Sequence, residues 1–528
     1  MATNVKELVH RFSQLKSTRG TWESHWQEIA DYVLPRRADV TTKRARGDKR
    51  TEKIFDSTAI NAAELLASSL HGMLTNAASP WFMMSYKSPE LNLDDKSMEW
   101  LEECTNQMYM VLNRSNFQQE VHELYADLIT FGTASMMIEK DEVNGLRFST
   151  RHISEIFIQE NEFGRVDTVY RIFKMSARAA VNMFGDISKK INKLNEKNPY
   201  DEVELLHIVF PRENFDPKKI DAKNKPFASI YCDPETTELL GESGYDEFPY
   251  VVPRFLKSSV ETYGRSPAMV ALADIKMINK MSETIIKAAQ KTIDPPLLVP
   301  DDGFMLPIRT VPGGLNFYRS GSRDRIEPLN TNANIGLGVQ YEDQRRDAIR
   351  KAFYVDQLLL AQRVNMTATE VLQRNEEKMR MLAPVLGRLT GEMLQPLITR
   401  CFNIMLRMEM FPVPPEQLQG KEIDIEYTSP LARSQRSGDV NAAVRSLEIL
   451  SPLAQLAPVF DYIDVDKFVK HVTDVLGVPA KIMRSDAEVQ QIRQDRAAVQ
   501  QAQAEAQAQL EQAEAAGAAA PMVKALKQ

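Results

Sequence analysis

Between residues 265 and 294 five charged side chains, Lys276, Lys280, Glu283, Lys287 and Lys291, recur at intervals of three and four, which places them on one face of a helix. Ammonium groups interleaved with a carboxylate suit weak, sliding contact with a polyanion, because each fixes a charge without building a tight site. A solvated helix face is the alternative reading of the same row. A second basic group, Arg345, Arg346, Arg350 and Lys351, lies on a segment predicted helical from 335 to 360. Constellations for covalent or metal chemistry are missing from the sequence. No Gly-rich loop ends in Lys-Ser/Thr after a strand, and Gly313-Gly314 runs into Leu-Asn-Phe-Tyr rather than a helix start. The histidines, His10, His25, His71, His122, His152, His207 and His471, never fall within four residues of one another, so no helical metal pair forms. Asp301-Asp302-Gly303 lacks the alternating oxygen ligands of a calcium loop and reads as a turn. A G-x-S-x-G nucleophile elbow is absent too. No catalytic residue, metal ligand or cofactor is therefore expected.

The 528 residues are 43% apolar and 26% charged, an ordinary water-soluble composition with room for three or four domain-sized units or one elongated multi-part subunit. A net charge of -7 argues against a protein that grips nucleic acid over its whole surface and leaves local basic patches possible. Cys104, Cys232 and Cys401 are dispersed and odd in number, so neither a disulfide framework nor a zinc site is indicated, and a reducing compartment is expected. The opening MATNVKELVHRF has no apolar signal core, and no apolar run approaches a membrane span. A cytosolic protein, or one assembled in the cytosol, is expected.

The elements that position these charges follow from periodicity. Leu8, Phe12, Leu15, Trp22, Trp26, Ile29 and Val33 define a long amphipathic helix, with Asn4 and Glu7 as a capping box and Pro35 as its stop. Arg36 to Lys53 is predicted to be a solvated basic loop, or one that meets phosphate or an acidic partner. Helices follow from Ser57 to about Ala77, from an Asp94 cap through Met108, and from Phe117 to Gly132. The runs TASMMIE, LRFST, EIFIQE, VDTVYRIF, VELLHIVF and FASIYC have strand character, so residues 1–260 are predicted to be a helical layer on a mostly antiparallel sheet, an α+β unit. Two helices, 265–294 and 335–360, flank a Gly/Pro-rich insertion. A further helix to about Met410 should bend at Pro384 and Pro396, and KEIDIEYTSP (421–430) should return as a strand to the sheet. A small helical unit with an Asp464-capped helix follows over 437–483. The Ala/Gln-rich tail, 486–528, is either a solvated helix or disordered until it meets partners.

Several stretches together resemble one family. IFDSTAINAAELLASSLHGMLTNAASPWF (54–82), ELYADLITFGTASMMIE (123–139), YGRSPAMVALADIKMINKMSE (263–283), PGGLN (312–316), MTATEVLQRNEEKMRMLAPVLGRLTGEMLQPLITRCF (366–402) and IEYTSPLARSQ (425–435) occur in the order found in the portal, or head-to-tail connector, proteins of short-tailed bacteriophages. The similarity covers roughly residues 5–480; the tail lies outside it.

The resemblance implies a non-enzymatic ring of twelve subunits at one capsid vertex, the channel through which double-stranded DNA is packaged and ejected. Its layout implies a wing (1–263 and 368–436), stem helices (264–294 and 335–360), a clip (295–334), a channel loop (361–367), a helical crown (437–485) and the tail (486–528). Carried over by position, Gln362, Arg363, Val364, Asn365 and Met366 face the DNA, and the Lys276–Lys291 row is the candidate lining of the stem. Arg309, Arg319, Arg323 and Arg325 fall in the clip, which docks the terminase and then the tail adaptor. Implied partners also include the major capsid protein, scaffold, tail proteins and internal core proteins, with no membrane; the expected location is the virion, after assembly in the host cytoplasm. Two rivals remain, a DNA-processing enzyme such as a terminase or nuclease, and a coiled-coil scaffold or tape protein. The missing P-loop and metal-ligand cluster oppose the first; the many strands, prolines and distinct segments oppose the second.

Overall fold

The computed structural model describes residues 4–299 except 46, 79, 88–94, 186–187, 217–218 and 220, and then 308, 315, 317, 327–329, 335–359, 382–418, 425–428, 444–446, 448–449, 463–476, 484 and 488–503. Helices and antiparallel sheets make it an α+β protein, in two compact units: Met1–Trp81 with Met108–Met410, and Phe82–Gln107 with Phe411–Gln528.

In the first unit, Asn4 caps α1 (Val5–Val33) by accepting from the Glu7 amide, and Leu34-Pro35 ends it. Phe12 of α1 packs with Phe157, Tyr170, Leu206 and Ile208, and Trp26 and Ala30 pack with Phe131, Ile156, Val169 and Val209. One face of α1 therefore covers the main sheet. Arg19, almost wholly buried, stitches the two together by donating to the carbonyls of Ile153, Ser154 and Ile156. That main sheet is an antiparallel meander of β4 (Ile156–Glu160), β5 (Val166–Ser176), β6 (Glu202–Pro211), β7 (Phe227–Cys232) and β8 (Leu239–Tyr245). A smaller sheet joins β2 (Ser135–Asp141) to β3 (Gly145–Arg151) and β9 (Tyr250–Val251).

Helices α2 (Thr58–Leu74) and α4 (Phe117–Phe131) pack on each other, and α4 ends at Gly132 in a left-handed conformation, φ +76°. A Cβ at Gly132 would stand 2.3 Å from the Gly264 carbonyl oxygen, so only glycine allows the chain entering α7 (Pro267–Ile293) to cross here. Ser266 caps α7 by accepting from the Met269 amide at 3.0 Å, and its hydroxyl donates to the Thr130 carbonyl at 2.8 Å, which fastens α7 to the end of α4.

Four features depart, wholly or in part, from the sequence expectation. The basic loop is exposed along much of its length, as expected, but part of its charge is also pinned to the chain's own carboxylates: Arg37 lies 2.7 Å from Glu123 and 3.2 Å from Asp127, Arg44 and Lys53 hold Asp31, and Arg50 holds Asp39. Ser57 makes no side-chain cap; Asp56 accepts from the Thr58 amide instead. The segment predicted as one helix over 335–360 is two, α8 (Ile335–Ala352) and α9 (Val355–Leu359), broken at Tyr354 with φ +59°. Phe353 and Val355 are both buried, and residues two apart point about 200° apart on a helix, so a continuous helix would have to expose one of them. The strand β12 (Ile425–Thr428) pairs antiparallel with β1 (Met83–Tyr86) in a separate two-stranded sheet, not with the main one.

Two short helices escaped the periodicity altogether, α5 (Ala177–Phe184) and α6 (Lys189–Lys197), each capped by a serine, Ser176 and Ser188. The helix over 382–389 passes through Pro384 and changes to a π-helical turn, Thr390–Leu394, before α10 (Gln395–Arg407). Pro396 lacks the amide that would bond back four residues, and the register shift sits just ahead of it. In the second unit, Trp100 of α3 (Asp95–Arg114) donates to the Pro412 carbonyl, and Asp464 caps α11 (Val465–Leu476) as expected by accepting from the Lys467 amide. Residues 488–503 of the tail are helical, with Arg493 paired to Asp466. The Asp94 cap lies outside the described residues.

His207 is fully buried on β6, stacked 4.0 Å from the Tyr231 ring, with Nε2 2.9 Å from the Ser229 hydroxyl. Burial, helped by Arg171 and Arg151, pushes its pKa down to about 3, and burial with Arg37 pushes His152 down to about 4. The unfolded chain takes up these protons near pH 6.5, so stability is full above that value and falls as the pH drops toward these folded values. Unfolding free energies from denaturant titrations between pH 7 and 4 should therefore decline, by up to about 1.4 kcal/mol per pH unit for each group, and less steeply in His207→Gln. An unchanged slope in that variant would assign the acid sensitivity elsewhere.

Candidate functional site

The insertion between the two predicted helices closes on itself. β10 (Leu297–Leu298) pairs antiparallel with β11 (Glu327–Pro328), so the chain leaves α7 and returns toward α8 at one place. α7 and α8 pack side by side, with Gly338 against Ile285, where a Cβ would stand 2.9 Å from Cδ1. Leu272, Ile275 and Ile278, spaced three apart, form the buried stripe of α7.

Polar residues interrupt that stripe, and they lock the pair. Asn279, 4% exposed, accepts from the Phe55 and Asp56 amides at 2.7 and 3.1 Å while its Nδ2 donates to the Ile275 carbonyl. Ser282 donates to Glu342 at 2.6 Å. Arg346 of α8 then bridges Asp56 at 2.9 Å and Glu342 at 3.2 Å, and Arg345 reaches across to Asp274 at 2.8 Å. Burial opposes ionisation of Asp56, but hydrogen bonds from Thr58 and Arg346 outweigh it and hold the carboxyl below its ordinary pKa. A clasp of Asp56, Asn279, Ser282, Glu342 and Arg346 thus ties both helices to the start of α2. Of these five only Arg346 stood out in the sequence, as part of the basic group on 335–360; for the others the available signal was two polar residues, Asn279 and Ser282, on an otherwise apolar face.

The charged row is on α7, but its members differ. Lys276 pairs with Glu28 of α1, which raises the lysine pKa. Lys280 and Lys287 both hold Glu283, at 2.9 and 2.5 Å, and these bonds, Lys287 first, lower the glutamate's pKa. Their side chains remain 75% and 63% exposed, and Lys291 is exposed near the helix end. Two of the row's cations, Lys280 and Lys287, are thus muted by a shared carboxylate. Gln362, Arg363, Val364, Asn365 and Met366, like Arg309, Arg319, Arg323 and Arg325, lie outside the described residues. Among the described residues no group of three His, Cys, Asp or Glu side chains is placed to hold a metal, and no helix is long and apolar enough to cross a membrane.

Removing Arg346 leaves two nearly buried carboxylates uncompensated. Arg346→Met should cost about 3 kcal/mol of unfolding free energy, and Glu342→Gln in the same chain should restore part of it. Asn279→Ala, which orphans two amides, should cost about 1–3 kcal/mol. Denaturant titration of the three variants checks this; a loss below about 0.5 kcal/mol for Arg346→Met would reduce the clasp to an ordinary surface pair.

The family described as bacteriophage head to tail connecting protein matches residues 5–483. The chain is 34% identical over 512 residues to the probable portal protein of Bordetella phage BPP-1, covering 95% of this chain and 92% of that one. It is 34% identical over 519 residues to the portal protein of Salmonella phage epsilon15, covering 95% and 93%. The portal protein of Enterobacteria phage T3 is 20% identical over 474 residues, covering 84% and 85%. The residues clasped in α7 and α8 fall inside the matched region and the tail beyond 486 falls outside it, and on the strength of that near full-length relationship the chain belongs to the bacteriophage head-to-tail connecting proteins, the portal proteins.

Proposed function

We propose that twelve copies of this chain close into a ring at a single capsid vertex, forming the channel through which double-stranded DNA enters the head and later leaves it. The observation that carries this reading is the relationship to phage portal proteins across 95% of the chain. In this reading residues 264–294 and 335–360, which contain α7, α8 and α9, are the stem, residues 295–334 the clip, 361–367 the channel loop, 1–263 with 368–436 the wing, 437–485 the crown and 486–528 an appended tail. The chain is structural rather than catalytic, is assembled in the host cytoplasm and works in the virion.

The geometry of the helix pair supports the reading. Apolar side chains remain on its outside, with Val270 73%, Met277 50%, Ile293 84% and Tyr341 49% exposed, as expected of helices whose remaining faces meet neighbouring copies. Lysines sharing Glu283 fit a wall that positions a passing duplex without arresting it, since each unneutralised cation would add a counterion-release term to its grip. The clip, with Arg309, Arg319, Arg323 and Arg325, is the docking surface for terminase and then tail adaptor; the wing meets major capsid protein and scaffold, and core and tail proteins complete the vertex. Gln362, Arg363, Val364, Asn365 and Met366 form the constriction facing DNA.

Complementation of a portal-deficient phage tests the assignment. Arg363→Glu should leave the sedimentation of assembled rings unchanged and cut DNA-filled particles about tenfold or more, because the charge change is repeated in every subunit around the bore. Unchanged DNA content would remove the loop from the channel. Deletion of 486–528 should leave ring assembly intact; its loss would make the tail part of the assembly.

A further inference from the structure

The helical hairpin of α5 and α6 has a core of its own, Ala177, Ala180, Ile191, Val203, Leu205 and Leu240, and that core includes no residue of α7 or α8. Backbone bonds from Ala177 to the Asp201 carbonyl (2.8 Å) and from Arg178 to the Pro199 carbonyl (3.0 Å) tie the hairpin to the ends of β5 and β6. Its rotation is fixed by built contacts. Ile191 is buried and Leu194 packs beside it, while Lys190 turns to Asp233 at 2.9 Å and Glu235 at 2.6 Å. Ser188 caps α6 and donates to Glu238 at 2.7 Å. With that side held, Lys189, Lys193 and Lys197 are all exposed, and among the described residues none of the three has an ion-pair partner. This sets them apart from Lys190 next to them, from the pinned loop arginines and from Lys280 and Lys287 on α7.

The spacing of the three is regular. Residues four apart on a helix rise about 6 Å, so the row spans about 12 Å, against one phosphate per about 3.4 Å of axis on each strand of a duplex. The exposed residues of α6 are these three lysines and Glu196, so its open face carries a net positive charge and no apolar side chain. We infer that the Lys189–Lys193–Lys197 row is a second DNA contact, a sequence-independent seat for the phosphate backbone of a duplex lying against the outside of the protein rather than passing through its channel. Free cations suit a duplex that is to be held; the carboxylate-shared lysines of α7 suit one that is to slide.

Covalently closed circular DNA tests this, because it cannot thread a closed ring. Binding of a relaxed closed plasmid to the full-length assembled protein should weaken linearly in a plot of log affinity against log salt. In Lys189→Gln/Lys193→Gln/Lys197→Gln the slope should become shallower by about 2.7, and affinity at low salt should fall about tenfold or more. The corresponding triple Arg variant should bind as the unmodified protein does, which separates lost charge from lost fold. Equal binding and equal slope in the Gln variant would overturn the inference, as would equal loss in the Gln and Arg variants. Preferential capture of poly-glutamate over plasmid by the same lysines would also overturn it and assign the row to an acidic protein. Ring formation is scored separately by sedimentation, so failure here leaves the channel reading standing.

Discussion

Arg346 and the carboxylates it bridges are what hold the two long helices in one arrangement. Hydrophobic contact along Leu272, Ile275 and Ile278 draws α7 against its neighbours, but apolar packing is non-directional and tolerates slippage. The hydrogen bonds from Asn279 to the backbone at Phe55 and Asp56, from Ser282 to Glu342, and from Arg346 to Asp56 admit a single register. Buried polar groups gain little net stability and lose much when a partner is missing, so such a network rejects misplaced arrangements more than it deepens the correct one. A ring subunit needs that property, because an error in helix placement within one copy is repeated around the axis.

Charge is distributed on the same logic. With an overall charge of -7, the chain answers most of its basic clusters internally, as in the loop from Arg36 to Lys53 held by Asp31, Asp39, Glu123 and Asp127. Cations left exposed are consequently informative. On α7 Lys280 and Lys287 are paired along the helix by Glu283, whereas Lys189, Lys193 and Lys197 on α6 stand unpaired among the described residues, and that difference in local neutralisation separates two ways of meeting a polyanion.

Much of the architecture was legible where a feature is local. Helix α1 between Asn4 and Pro35, the strand FASIYC, the Gly132 stop and the 265–294 helix all follow from caps, breakers and period, which act over a few residues. Departures occur where the deciding partner is distant. Apart from Asp39 in the loop itself, the basic loop's acceptors lie on α1 and α4, β12 pairs with a strand far upstream, and the break at Tyr354 serves the simultaneous burial of Phe353 and Val355. Helices α5 and α6, eight and nine residues long, are too short for periodicity to stand out. For the candidate site, the positions of Lys276 to Lys291 on one helix could be read, but not that Lys276 is taken by Glu28 or that Asn279 receives the chain at Phe55.

The central claim is that the clasped α7–α8 pair of each copy encloses a bore. Electron cryomicroscopy of the assembled full-length protein, averaged and viewed along its symmetry axis, measures this directly. The account predicts a closed twelvefold ring in which α7 and α8 surround an opening wider than a DNA duplex, with Lys280 and Lys287 reaching the lumen. A closed particle whose helix pairs point away from the axis, or an assembly with no axial opening, would contradict it.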